Sequence, residues 1–184
     1  MLRKSTILMI GLSAALSACT TLSREECSSG DWRKIGVQDG SDGRPAERFN
    51  RHVKACGREG TAPDRELYLA GRQKGLATYC TSVRGYREGA LGQKYYGVCP
   101  PQSEGQFQTG FKLGDSIYRL EAQISDMNDA FFAASQGLQN KSISDSERTR
   151  LSQEQTRLQA EEVRLNEELK RLRAQADALV AAAR

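Results

Sequence analysis

The chain has 184 residues, a formal net charge of +4, and 38% hydrophobic and 27% charged residues. This length allows one compact domain with an extension. The net charge is too small to predict binding to nucleic acid through bulk electrostatics, so we expect no nucleic-acid partner. No apolar run after Cys19 approaches the ~18 residues of a transmembrane helix, so we expect none in that part of the chain.

The N-terminal segment has the layout of a bacterial lipoprotein signal. Arg3 and Lys4 form a basic region, and Ile7–Leu16 form an apolar stretch that is too short to span a bilayer. The sequence Leu16-Ser17-Ala18-Cys19 then resembles the lipobox, in which small residues precede a cysteine that is lipidated. The alternative is an ordinary signal peptide with a cysteine at its cleavage site.

This motif predicts where the protein resides. We expect a lipoprotein signal peptide over residues 1–18, lipidation at Cys19, including palmitate, and a lipidated tether over residues 19–29. Thr20 is the residue after the lipidated cysteine. An aspartate at this position would oppose transfer to the outer membrane, so Thr20 favours that transfer. We therefore predict a lipid-anchored outer-membrane protein that faces the periplasm.

Four further cysteines, Cys27, Cys56, Cys80 and Cys99, predict two disulfides in an exported chain. Three pairings are open. We favour Cys27–Cys56 and Cys80–Cys99, because each closes a short loop. A zinc site is the alternative, but the chain has no C-x-x-C pair and a single histidine, so we expect no metal and no cofactor.

Residues 30–102 form a Gly/Cys-rich region that we predict to be a small domain. Short helices are expected over Pro45–Cys56 and Pro63–Tyr79. One spacing of aromatic residues and glycines occurs twice, with a near copy: Tyr68, Gly71, Gly75, Tyr79; Phe107, Gly110, Gly114, Tyr118; and Tyr86, Gly89, Gly92, Tyr96. On helices each set shares one face, which favours close helix packing, with a tyrosine-lined ligand groove as the alternative.

Residues 103–184 carry the hydrophobic repeat of a coiled coil. The first seam is Leu113, Ile117, Leu120, Ile124, Met127, Phe131, Ala134 and Leu138, and the second includes Leu151, Leu158, Leu165, Leu172 and Leu179. A polar break followed by a capping sequence at Ser144 predicts an antiparallel hairpin. Folding the chain about residue 143 places Leu172 near Gly114. Assembly of the helices between chains is the alternative.

No catalytic motif is present, so we predict that the protein is not an enzyme. Residues 39–43 are interpreted as tight turns, and His52 as part of a solvated basic helix face beside Arg48 and Arg51. A cell-wall enzyme is the weakest hypothesis and would need an essential carboxylate among Asp31, Asp39, Asp42 and Asp64. The candidate contacts to a ligand or partner are Arg44, Arg48, Arg51, Tyr68 and Tyr79.

The middle of the chain resembles a family of bacterial outer-membrane lipoproteins known as domain of unknown function 2799. The matching residues include Asp31-Trp32, Ile35-Gly36, Asp39-Gly40, Gly43, Cys56, Asp64, Tyr68, Gly71, Gly75-Leu76, Tyr79-Cys80, Gly89, Gly92, Tyr95, Cys99-Pro100, Phe107, Gly110 and Tyr118. The resemblance spans roughly residues 30–120 and implies an envelope lipoprotein, without assigning catalytic or ligand residues.

Together these observations predict a mainly α protein: a small disulfide-stapled helical domain followed by a long antiparallel helical hairpin. The predicted function is a structural or protein-interaction role in the cell envelope, with an envelope protein as partner and the lipid anchor as membrane contact. The alternative is a module that binds peptidoglycan or lipopolysaccharide through the basic helix and the tyrosines.

Overall fold

The computed structural model describes residues 22–57, 60 and 62–183. The predicted signal peptide and the lipidation site Cys19 lie outside these residues. Within the described part the chain forms seven helices and no strand, which confirms the mainly α prediction. The helices are α1 (Arg24–Ser29), α2 (Trp32–Ser41), α3 (Arg48–Gly57), α4 (Arg65–Tyr79), α5 (Ser82–Ala90), α6 (Pro101–Gln139) and α7 (Asp145–Ala181).

The folded domain begins closer to Cys19 than the predicted tether over 19–29 allows. Helix α1 lies inside that segment and starts with a capping box in which Ser23 and Glu26 bond each other's backbone amide. Leu22, just before it, is 9% exposed and belongs to a core cluster with Trp32 and Phe49. The chain is therefore packed against the domain from Leu22 onward.

Helices α2 and α4 form a pair whose backbones are in direct contact. A Cβ atom on Gly36 would overlap the carbonyl oxygen of Tyr68, and one on Gly75 would overlap that of Val37. Gly40 and Gly71 are equally enclosed by the opposite backbone. The absence of side chains at these four positions is what lets the two helices approach so closely, and this offsets the poor helix propensity of glycine.

Helices α5 and α6 form a second pair of the same construction. Gly85 packs against the carbonyl oxygen of Phe107, and Gly89 against that of Phe111. From the other side, Gly110 and Gly114 pack against the backbone of α5. The glycines of the two pairs correspond one to one, so the domain is an internal repeat of two glycine-paired helix units.

The turn after the first helix is also the same in both units. Gly43 has φ +64° and Gly92 has φ +63°, the left-handed conformation that glycine adopts without strain. The ring of Tyr79 covers Gly43, and the ring of Tyr118 covers Gly92. We refer to these segments below as the first turn (residues 42–44) and the second turn (residues 91–94).

Each unit is closed by one disulfide. Cys27 pairs with Cys56 and Cys80 pairs with Cys99, with Cα–Cα distances of 5.3 and 5.6 Å. The favoured pairing is thus confirmed. In both units the bond joins the segment before the first helix of the pair to the segment between its two helices.

Close packing, rather than an open groove, is what the repeated spacing encodes. The glycine faces, for which a ligand groove was the alternative, are filled by neighbouring helices. The near copy was misassigned: α5 ends at Ala90, so Gly92 and Tyr96 do not share a helix face with Tyr86 and Gly89. Gly92 instead forms the second turn.

The helical hairpin is confirmed. Helix α6 has 39 residues, a length of about 58 Å, and α7 returns beside it after a short turn capped by Ser144. The predicted seam residues pack together, and Leu165 is only 2% exposed. Arg173 on α7 and Glu121 on α6 form an interhelical ion pair at 2.8 Å.

The predicted contact between the glycines of α6 and the alanine-rich end of α7 is wrong. Gly110 and Gly114 do not meet that end, because α5 occupies their face. At the tip, Arg148 donates a hydrogen bond to the Leu138 carbonyl oxygen, which agrees with a fold about residue 143. Helix α6 thus packs on α5 through its glycines and on α7 through the seam residues from Ile117 onward.

Candidate functional site

A buried carboxylate connects three helices of the first unit. Asp39 on α2 receives a hydrogen bond from Arg48 Nε at 3.0 Å and one from the Tyr68 hydroxyl at 2.8 Å. His52 Nε2 lies 2.7 Å from the same carboxylate. Arg48 and His52 come from α3 and Tyr68 comes from α4. We call these four residues the Asp39 cluster.

The Asp39 cluster stabilises the ionised form of its carboxylate. Burial raises the pKa of Asp39, but the hydrogen bonds with His52 and Tyr68 and the nearby charge of Arg48 outweigh burial, and the pKa falls below its ordinary value. Burial and the hydrogen bond to Asp39 raise the pKa of Tyr68. His52 and Tyr68 are 1% and 0% exposed, so these two side chains are not accessible to a ligand. The hydrogen bonds of the cluster instead hold α3 against the α2–α4 pair.

A second polar site opens at the surface where the two turns adjoin. It is a cleft of about 310 Å³ between residues of both helix units. Its lining consists of Asp42, Gly43, Arg44, Tyr79, Arg84, Glu88, Gln93, Lys94 and Tyr96. We call it the inter-turn cleft, since residues of both the first and the second turn line it.

Charged and aromatic groups alternate within the inter-turn cleft. Arg84 Nε lies 2.8 Å from Glu88 Oε1, and the Arg84 guanidinium lies 5.5 Å from the centre of the Tyr79 ring. Lys94 Nζ lies 5.4 Å from the centre of the Tyr96 ring. Burial and the charge of Glu88 raise the pKa of Tyr79 to about 12, although Arg84 opposes this. Tyr79 therefore stays protonated at the inner wall of the cleft.

The five predicted contact residues do not form one surface. Arg44 and Tyr79 line the inter-turn cleft, although Tyr79 is only 3% exposed. Arg48, which is half-buried, and Tyr68, which is fully buried, belong to the Asp39 cluster. Arg51 alone of the five stays on the exposed face of α3.

Several sequence-based interpretations of polar residues change. His52 is buried rather than solvated, and Asp39 lies within α2 rather than in a tight turn. Asp31 and Asp64 accept hydrogen bonds from backbone amides as the N-caps of α2 and α4. Asp42 accepts hydrogen bonds from the Gln38 side chain and borders the cleft.

Sequence reasoning missed Arg84, Lys94 and Tyr96 as cleft residues. No local motif joins them to Arg44, because the two turns adjoin only when both helix units have folded. The repeated glycine spacing was the one available signal that these turns are equivalent. Within the described residues no group of His, Cys, Asp and Glu side chains is arranged to hold a metal ion, and no helix has the length and apolarity needed to cross a membrane.

Residues 31–116 match the model of a family described as "Protein of unknown function (DUF2799)". The chain contains a DUF2799 domain. No curated protein and no solved structure matches the chain.

The matched region coincides with the two helix units. It begins at Asp31, the N-cap of α2, and ends on α6 just before Tyr118. The DUF2799 domain thus includes both turns, the Asp39 cluster and the inter-turn cleft. Helix α1 and the outer part of the hairpin lie outside the match.

Proposed function

We propose that this protein is a cell-envelope lipoprotein with a structural or protein-docking role, and that a partner protein binds its hairpin. The extension of the hairpin past the DUF2799 domain carries this proposal. Helix α6 continues for roughly 30 Å beyond Tyr118, its last contact with the second turn. An arm of this length beyond a compact domain provides surface on two long helices.

The hairpin also presents apolar side chains to solvent. Phe132 on α6 is 63% exposed and Val163 on α7 is 67% exposed. Both lie outside the seam, which is formed by residues such as Phe131 and Leu165. Exposed aromatic and aliphatic side chains on a rigid element are favourable anchors for a protein interface, because their burial there adds apolar contact without loss of an internal one.

The short spacing between Cys19 and the core supports a surface-bound orientation. Leu22 is already packed in the core, and three Cα steps span at most about 11 Å. Acyl chains on Cys19 would then hold α1 and the DUF2799 domain beside the bilayer. Thr20 favours the outer membrane, and a periplasmic orientation is part of the proposal. The hairpin is then the part of the protein that extends furthest from the bilayer.

Crosslinking in cells tests the docking role. A photoreactive residue replaces Phe132 on the hairpin, and a matched one replaces Arg51 on the exposed face of α3. We expect discrete protein adducts at position 132, with a yield that falls in the Cys19→Ala variant. Glycan adducts at position 51 without protein adducts at position 132 would instead favour the wall-binding alternative.

A further inference from the structure

We propose that the inter-turn cleft binds an acidic sugar, meaning a carbohydrate ring that carries a carboxylate. The site is independent of the lipid anchor and of the hairpin's role. It lies wholly within the DUF2799 domain, between its two turns. Its volume of about 310 Å³ is at the lower end of ordinary small-molecule sites, which suits one or two sugar rings.

The walls of the cleft are suited to a polar ligand. Asp42 and Glu88 provide carboxylate acceptors, and Gln93 adds an amide that both donates and accepts. Sugar hydroxyls both donate and accept hydrogen bonds and are matched by such a mixture. An apolar ligand would leave these groups desolvated and unpaired, which costs free energy.

Tyr96 provides an aromatic surface on which the sugar ring can pack. Its side chain is 53% exposed at the edge of the cleft, whereas Tyr79 is buried at the inner wall. The C–H face of a sugar ring is apolar and packs on an aromatic face, while the hydroxyls around its edge reach polar groups. An exposed tyrosine beside convergent polar side chains provides both contacts together.

The charges select a carboxylate on that ring. Three cations, Arg44, Arg84 and Lys94, line the cleft against the two carboxylates of Asp42 and Glu88. Arg84 is paired with Glu88, whereas Arg44 and Lys94 form no ion pair within the described part of the chain. An Arg guanidinium can bind a carboxylate through two parallel hydrogen bonds. A ligand carboxylate therefore completes the charge balance.

Binding of two sugars that differ by a lactyl group, which carries a carboxylate, tests the proposal. N-acetylmuramic acid and N-acetylglucosamine share a ring, but only the first carries a carboxylate on its lactyl group. We measure each by ligand-observed NMR with the full chain in detergent. We expect N-acetylmuramic acid to bind at least about 10-fold more tightly, as for a charged hydrogen-bonded pair. Equal affinities, or no binding of either sugar, would overturn the proposal.

Variants locate the binding. Arg44→Gln and Tyr96→Ala should each weaken binding of N-acetylmuramic acid by roughly 10-fold. Their controls, Lys74→Gln on α4 and Phe132→Ala on the hairpin, remove an exposed cation and an exposed aromatic ring elsewhere and should leave affinity unchanged. Circular dichroism confirms that each variant is folded. Affinity unaffected by the cleft variants, or inorganic phosphate binding as tightly as the acidic sugar, would contradict an acidic-sugar site.

Discussion

Tyr68 and Phe107 occupy equivalent positions in the two helix units. The carbonyl oxygen of Tyr68 packs against Gly36, and that of Phe107 packs against Gly85. Both side chains are fully buried. Tyr68 donates a hydrogen bond from its hydroxyl to the Asp39 carboxylate, whereas Phe107 has no polar group. The two units therefore share a backbone arrangement and differ in what fills the space beside it: a polar cluster in the first and packed aromatic rings in the second.

The glycine contacts predict opposite effects for two substitutions in one helix. Gly110→Ala places a methyl group against the carbonyl oxygen of Ser82 and should lower the free energy of unfolding by roughly 3 kcal/mol. Gly105→Ala, also in α6, meets open space and should raise it by roughly 1 kcal/mol. Urea denaturation followed by circular dichroism measures both. Equal effects would mean that helix propensity, not backbone contact, governs these positions.

The Asp39 cluster predicts a specific loss of stability in acid. The pKa of Asp39 is lowered on folding, so its contribution is present above the ordinary value of 3.8 and is lost as pH falls through the lower value of the folded state. Asp39→Asn should cost about 2 kcal/mol at neutral pH and flatten the decline in acid. Urea midpoints measured from pH 7 to pH 2 compare the two proteins. Parallel curves would contradict this role.

The hydroxyl of Tyr68 should contribute through Asp39 alone. Tyr68→Phe is expected to lower the free energy of unfolding by roughly 1–2 kcal/mol, because it removes a buried hydrogen bond to a charged group. The loss should be smaller in the Asp39→Asn background. Tyr96→Phe, at a half-exposed position, is the control and should change stability by less than about 0.5 kcal/mol. Strict additivity in the double variant would show that the two side chains act separately.

Removal of either disulfide should destabilise its helix unit. The bonds close loops with sequence separations of 29 and 19, and each should contribute about 3 kcal/mol through restriction of the unfolded chain. Cys80→Ala with Cys99→Ala tests the second unit, and Cys27→Ala with Cys56→Ala tests the first. Thermal unfolding measures the loss. Unchanged melting temperatures would exclude a stabilising role for that bond.

The hairpin seam can be improved at a polar position. Glu162 lies in the seam stripe between Leu158 and Leu165, where an apolar residue would pack better. Glu162→Leu should raise the free energy of unfolding by about 1 kcal/mol. Glu167→Leu, on the exposed face of the same helix, should give no such gain. Because the hairpin closes within one chain, Glu162→Leu combined with Cys19→Ala, which removes the proposed lipid anchor, should sediment as a monomer.

The hairpin could be predicted from the sequence because its signal is local and periodic. Leucines such as Leu158 and Leu165 recur every seventh residue, and Ser144 marks the start of the second arm. The helix that covers Gly110 and Gly114 could not be predicted, since the position of the loop alone does not reveal that α5 packs on them. Helices α5 and α7 both pack on α6, and which of them covers a given face depends on contacts between distant parts of the chain.

Helix α2 could not be predicted for a related reason. It contains two glycines, which lower intrinsic helix propensity, and it is helical because the backbone of α4 packs on those glycines. With residues 39–43 interpreted as tight turns, Asp39 has no buried position in which to meet His52. The Asp39 cluster and the inter-turn cleft both depend on this long-range packing, and neither has a local sequence signature.

The continuity of α6 has a mechanical consequence. One unbroken rod runs from Pro101, beside the disulfide of the second unit, to Gln139 at the hairpin tip. A sideways load on the hairpin tip therefore exerts a large torque on the contacts between α5 and the glycines of α6, because those contacts lie near the other end of the helix. The tight contacts of Gly110 and Gly114 with α5, together with Tyr118 where it covers Gly92, would resist such a load.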